Sequence, residues 1–267
     1  MDRRQAKPAR RDPTQRFSDR VDHYVRYRPR YPVTVLEVLR QAIGLTPAWR
    51  LADIGSGTGI STGLFLENGN TVFAVEPNRE MRGAAERLLG AHPGFHSVTG
   101  RAEATTLPAA SMDAVVAAQA FHWFDADKTR EEFRRILRPG GWVVLLWNTR
   151  LKDATPFQRA YEALLEEFAT VYAQVAHEPI DDAALGHFFT STHPRRTLPN
   201  EQTLDYAGLK GRLLSSSYAP AEGHPRHAPM LVALEQLFRA HNRDGRVRFD
   251  YVTQVLLGRV ETAGPGP

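Results

Sequence analysis

Three glycines at alternating positions, Gly55, Gly57 and Gly59, constrain this chain more than any other feature. They follow the run Leu51, Ala52, Asp53 and Ile54, which reads as a strand, and they precede a helix-compatible segment at 60–67. Strand, glycine turn and helix open a βαβ unit in which a ligand lies directly against backbone, where a Cβ would hold it off. The next strand, at 71–76, ends in Glu76, 21 residues after Gly55. A ribose diol bound at the turn would meet a carboxylate at that interval. A dinucleotide turn of the G-x-G-x-x-G kind needs glycine at 60 or 62, and the chain has Ile60 and Thr62 there.

Strands and helices alternate beyond the turn. After the strands at 50–54 and 71–76, Pro77 and Asn78 start a helix running to about 89, with Met81 early in it. A short third strand is expected at 95–99. A fourth, at 112–118, is apolar enough to be buried on both faces. A helix at 124–137 carries Phe133, Ile136 and Leu137 at i, i+3 and i+4, and a fifth strand spans 142–147. This alternation predicts a parallel, doubly wound sheet. Further on, Tyr161, Leu164, Leu165 and Phe168 share a helical face. A strand is expected at 195–203, helices at 204–217 and 230–241, and alternation at 247–257 marks a strand with one buried face.

Composition limits the function. A chain of 267 residues can form one α/β domain with a large core, or one domain with an inserted lid. It has no cysteine, which excludes disulfides and zinc–thiolate sites, and a reducing, cytoplasmic setting is expected. No apolar run approaches the roughly 20 residues that cross a bilayer, and the N-terminus has no apolar h-region, so neither membrane span nor signal peptide is expected. The net charge of +4 resides in residues 1–16, where Arg3, Arg4, Lys7, Arg10, Arg11 and Arg16 face only Asp2 and Asp12. A neutral body argues against nucleic acid as the partner and for a disordered, solvated basic arm.

Asp53-x-Gly55-x-Gly57-x-Gly59 with Glu76 resembles motif I and the ribose-binding acid of the class I S-adenosylmethionine-dependent methyltransferases. Gly100-Arg101-Ala102-Glu103 after the third strand, Gln119 to Asp125 after the fourth, and Leu137 to Trp142 before the fifth continue the series in order. Over 50–149 the chain resembles the methyltransferase-11 type. Tyr24, Arg28, Pro29, Tyr31 and Pro32, with the triplet His122, Trp123 and Phe124, are similar to the trans-aconitate methyltransferase-like branch.

The resemblance implies S-adenosylmethionine as cofactor and an α/β fold with a doubly wound, mainly parallel seven-stranded sheet and a helical lid. It implies a cofactor set of Asp53, Gly55, Ser56 and Gly57 at the turn, Glu76, Pro77 and Met81 after the second strand, and Arg101, Ala102 and Glu103 after the third. Gln119, Ala120 and Trp123 follow the fourth strand, and Tyr24 closes over the bound molecule. The expected organisation is a basic arm at 1–16, a cap segment at 17–45, a cofactor-binding core at 46–150, the rest of the sheet with a lid near 204–241 in 151–261, and a loose tail at 262–267.

The implied reaction is in-line methyl transfer to a small-molecule acceptor, at a carboxylate or hydroxyl oxygen. It asks mainly for positioning and exclusion of water. His122 at a strand's carboxyl end is the candidate base, with loop positioning as its other role. Arg28 either holds a substrate carboxylate or pins the N-terminal segment. No metal site is expected, since Gln119 stands where the metal-dependent catechol type places an Asp. A [DN]-P-P-[FYW] motif of nucleic-acid amino-methylating enzymes is also absent from that position. Two alternatives remain at this stage, an RNA-directed enzyme using the arm and a non-enzymatic cofactor-binding regulator.

Overall fold

The computed structural model describes residues 25–170, 182–192, 194–216 and 218–260. The arm at 1–16, the start of the cap segment with Tyr24, and the tail at 262–267 lie outside the described residues. One sheet contains β1 (Arg50–Ile54), β2 (Thr71–Val75), β3 (Phe95–Val98), β4 (Met112–Ala118), β5 (Leu137–Arg150), β6 (Ser191–Thr192), β7 (Arg196–Leu204) and β8 (Val247–Arg259). Its order is β3-β2-β1-β4-β5-β8-β6, with β7 also on β8. Strands β1 to β5 pair in parallel, whereas β8 is antiparallel to β5 and pairs antiparallel with β6 and β7. Eight strands thus replace the expected seven, the addition being β6, whose two residues are too few to carry a pattern.

Strand alternation buries both faces of the sheet. In β4, Ala114 and Val116 pack with Val35, Leu36 and Leu39 of α1 (Thr34–Ile43) and with Phe65 of α2 (Ile60–Glu67). The intervening Val115 and Ala117 pack with Phe133 and Ile136 of α4 (Ala126–Ile136) and with Phe188 of α6 (Asp182–Phe188). Between α2 and α4 in sequence lies α3 (Arg79–Leu89). Each fully buried large apolar side chain is worth roughly 1.5–3 kcal/mol, so the continuous apolar runs read in the sequence drive this arrangement.

A third cluster covers the outer part of the sheet. Tyr161 of α5 (Pro156–Phe168), Leu209 and Leu213 of α7 (Tyr206–Leu214) and Leu234 of α8 (His227–His241) pack onto Phe249 and Tyr251 of β8. Side-chain caps set several helix starts. Asn78 accepts from the Met81 amide at 2.9 Å, Thr155 from the Gln158 amide at 3.1 Å and Asp205 from the Gly208 amide at 2.7 Å. The Asp205 cap makes α7 begin at Tyr206 rather than at 204. Strand β5 begins at Leu137, ahead of the expected 142, because Leu137 pairs with Met112 and the register then shifts to Ala114 opposite Trp142. Pro139, Gly140 and Gly141 form the bulge that absorbs the shift, with Gly140 at φ +78°. Among the described residues no helix is long and apolar enough to cross a membrane.

The strand order reverses between β1 and β4. Open α/β sheets bind ligands at that switch point, outside the carboxyl ends of the strands.

Candidate functional site

A cavity of about 830 Å³ lies at those carboxyl ends. Its floor is the glycine turn. Gly55, Gly57 and Gly59 have φ of +68°, +56° and +86°, values that side-chain-bearing residues rarely adopt. Beyond this, the three glycines differ in what a Cβ would meet. At Gly55 it would lie 2.8 Å from the Ala120 Cβ, and at Gly59 2.5 Å from Leu89 Cδ1, so both are sites of close packing. At Gly57 the nearest atom is Met81 Cε at 3.7 Å, and that residue lines the cavity, leaving the turn backbone open to a ligand.

Glu76 ties the turn to the second crossover. Its Oε2 accepts from the Gly57 amide at 2.9 Å and its Oε1 from the Asn78 amide at 2.8 Å. Burial pushes its carboxyl above the ordinary value, while these two amides act in the opposite direction. Glu76 thus lines the cavity with its carboxylate fixed from both sides, and each oxygen retains further acceptor capacity for a diol. Pro77 and Met81 continue the wall.

Asp53 departs from expectation. It does not line the cavity but lies fully buried beneath the turn, where Oδ2 accepts from Ser61 Oγ at 2.7 Å and Thr62 Oγ1 at 2.6 Å. Burial drives its carboxyl up to about 6, against the lowering effect of those two hydroxyls. Its place in the structure is to join β1 to the first turn of α2. Carboxylate and ligand chemistry both belong to a G-rich turn, and sequence spacing alone does not say on which side of the backbone the acid lies.

Two further loops face the turn. In the first, Arg101 and Ala104 exchange backbone hydrogen bonds, which closes a tight turn presenting Arg101, Ala102 and Glu103 to the cavity. Glu103 Oε1 accepts from the Asp125 amide at 3.0 Å, linking this turn to the loop after β4. In that second loop Gln119 adopts φ +54°, a strained value for a residue with a side chain. Reciprocal bonds hold it there, Gln119 Nε2 to the Asn148 carbonyl at 3.2 Å and the Asn148 amide to Gln119 Oε1 at 3.0 Å. Gln119, Ala120, His122 and Trp123 all line the cavity. The His122 ring sits 4.6 Å from Trp123 and 5.0 Å, edge-on, from Trp147.

The remaining wall comes partly from residues that sequence reasoning did not assign and partly from the expected cap segment. Trp147 and Asn148 end the apolar stretch of β5, Tyr251 lies opposite Arg150 on antiparallel β8, and Arg212 and Tyr218 come from and after α7. Arg28, Pro29 and Tyr31 line the cavity from the N-terminal segment. Backbone bonds fasten that segment, since Asn148 and Asn200 donate to the Arg30 carbonyl at 3.3 and 2.9 Å and Gln202 donates to the Tyr27 carbonyl at 2.9 Å. Arg28 donates to the Ser215 carbonyl at 3.0 Å and also lines the cavity, an arrangement compatible with either role expected of it. Trp147 ends the strand expected at 142–147, whereas Tyr251 lies within β8 and reaches the cavity through the antiparallel pairing of β8 with β5.

The donor set fits S-adenosylmethionine. An open glycine backbone, an acid fixed for a ribose diol, and the apolar Met81 and Ala102 beside Arg101 and Glu103 supply a surface for each part of it. Residues 52–145 match the family model described as Methyltransferase domain. An uncharacterized methyltransferase of Mycobacterium tuberculosis is 41% identical over 142 residues, which are 53% of this chain and 56% of that protein. An uncharacterized methyltransferase of Schizosaccharomyces pombe is 27% identical over 152 residues, 57% of this chain and 59% of its own length. The chain therefore spans little more than half the length of these relatives. A solved structure from Anaeromyxobacter dehalogenans, a candidate type II methyltransferase, superposes with a TM-score of 0.65 at 25% identity, covering 88% of this chain and 99% of its own. Residues 52–145 thus match the methyltransferase domain family, and the sheet has the Rossmann-like fold seen in class I S-adenosylmethionine-dependent methyltransferases.

Proposed function

We propose that the protein is an S-adenosylmethionine-dependent methyltransferase whose acceptor is a small molecule methylated at oxygen, a carboxylate or a hydroxyl. The observation that supports this most is the extent of the cavity. Its lining runs from the glycine turn, Glu76 and His122 on to Trp147, Asn148, Arg212, Tyr218 and Tyr251, and we take that last part as the acceptor chamber. Pro29 and Tyr31 border that chamber, and such a recess suits a compact acceptor better than a polymer. Arg28 and Arg212 line the cavity beside Arg150 and Lys152, which share the one carboxylate of Glu162, so a protonated amine would meet an excess of like charge there.

S-adenosylmethionine supplies a methyl group already activated on a sulfonium. The chain's part is to bind, to orient and to keep water out. Glu76 and the turn fix one end of the cofactor, and the aromatic faces of Trp123 and Trp147 suit a cationic centre. A carboxylate acceptor needs no base, whereas a hydroxyl acceptor would draw on His122.

Incubation with methyl-labelled S-adenosylmethionine tests this, offering a low-molecular-weight metabolite pool and, separately, total RNA. Label should appear in small, solvent-extractable methyl esters or ethers. Label in RNA alone would overturn the reading and return the basic arm to a nucleic-acid role.

A further inference from the structure

Arg212 carries a formal charge into the protein interior, since the residue is only 6% exposed yet lines the cavity. Its guanidinium has hydroxyl hydrogen-bond partners. Nε donates to the Tyr251 hydroxyl at 3.4 Å and Nη1 to Ser216 Oγ at 3.1 Å. Among the described residues no carboxylate forms an ion pair with it. A buried cation without a counter-charge is costly, and proteins ordinarily pair it. Arg150, by contrast, is paired with Glu162, which also takes Lys152 at 2.8 Å.

The charge is not relieved by loss of a proton. Burial alone would lower the basicity of Arg212, but charge interaction with the ionisable phenols of Tyr251, Tyr218 and Tyr161 and the hydrogen bond to Tyr251 hold it above the ordinary value. Tyr218 registers the local field. Burial would raise its phenol, yet the Arg212 guanidinium, a hydrogen bond with Ser216 and, to a smaller extent, Arg28 and Arg150 bring it below the ordinary value. All three arginines line this end of the cavity, whereas the lining carboxylates Glu76, Glu103 and Asp125 belong to loops at the cofactor end.

We infer that Arg212 is the specificity-determining anchor of the acceptor chamber and receives an anionic oxygen group of the acceptor, a carboxylate or another oxyanion. The inference rests on the methyltransferase reading only in calling the ligand an acceptor. A planar guanidinium held by Tyr251 and Ser216 is oriented in advance, so little order is lost when an oxyanion arrives. The missing counter-charge is then the ligand itself. An enzyme built for neutral alcohols would leave this charge buried without a partner.

The test compares succinate, fumarate, citrate and methylphosphonate with succinamide and fumaramide. Tryptophan fluorescence would follow binding to the full-length protein, with and without S-adenosylhomocysteine. Wild type should prefer at least one anion over the amides by about tenfold to a hundredfold, the range of a charge-assisted pair. Arg212→Met should abolish that preference and Arg212→Lys should keep part of it, while both bind S-adenosylhomocysteine as wild type does. The carboxylate and phosphonate arms say which oxyanion the chamber prefers. Equal binding of anions and amides by wild type would overturn the inference without recourse to any variant, as would an anion preference that survives in Arg212→Met. Failure of wild type to bind S-adenosylhomocysteine would instead strike the methyltransferase reading, and the anion preference measured without it would still judge Arg212.

Discussion

Gly55→Val is expected to lower affinity for S-adenosylhomocysteine by at least about 30-fold while leaving the far-ultraviolet spectrum unchanged. Two penalties coincide at this position. A β-branched residue at φ +68° is strained by about 1–2 kcal/mol. Its Cβ would also sit 2.8 Å from Ala120 Cβ and 3.5 Å from the Phe124 ring. The alanine methyl cannot rotate away, so the loop after β4 must move, at an overpacking cost of about 1–3 kcal/mol. Together these amount to about 2–5 kcal/mol against the arrangement that binds, and each 1.4 kcal/mol is tenfold. Gly63→Ala is the matched control. It lies within α2, where the nearest atom to a new Cβ is Leu89 Cδ2 at 3.9 Å, and affinity should not change. A folded Gly55→Val protein with wild-type affinity would mean that the turn does not cradle the ligand.

Gly211→Val should open the N-terminal segment. A Cβ at 211 would fall 2.1 Å from two atoms of the Tyr27 ring, so the ring must leave its place on α7. The Tyr27 carbonyl is held by Gln202 and the Arg30 carbonyl by Asn148 and Asn200, so displacement of the ring pulls on the attachments of segment 27–31. Overpacking of about 1–3 kcal/mol charged to the docked segment corresponds to roughly 5- to 150-fold faster ligand dissociation. Stopped-flow fluorescence from Trp123 and Trp147 would report it. An unchanged dissociation rate would show that the segment packs beside the cavity without retaining its contents.

How far the sequence anticipates this site depends on distance along the chain. Glu76, the glycine turn, Asn78 and Met81 lie in one βαβ unit, where local turn chemistry and spacing fix their relation, and all were readable. Gln119, His122 and Trp123 follow from knowing which strand end faces the ligand. Arg212, Tyr218 and Tyr251 were not readable, because they reach the cavity through the antiparallel pairing of β8 with β5 and the packing of α7 on β8. Nothing local in Gly-Arg-Leu-Leu at 211–214 distinguishes a buried anchor from a solvated arginine on an amphipathic helix. Asp53 illustrates the opposite failure. The motif resemblance marked it as part of the ligand turn, but its side chain is buried and bonded to Ser61 and Thr62 instead. Polar stretches were the other blind spot, since α6 and β6 are short and lack a periodicity long enough to detect.

The central claim is that the turn at Gly55–Gly59 and Glu76 form an S-adenosylmethionine site and not a dinucleotide site. Isothermal titration of the full-length protein with S-adenosylhomocysteine and, separately, with NAD⁺ addresses it directly. Micromolar binding of S-adenosylhomocysteine with one site per chain and no heat from NAD⁺ is the predicted result. Micromolar binding of NAD⁺ with none of S-adenosylhomocysteine would contradict the account at its base.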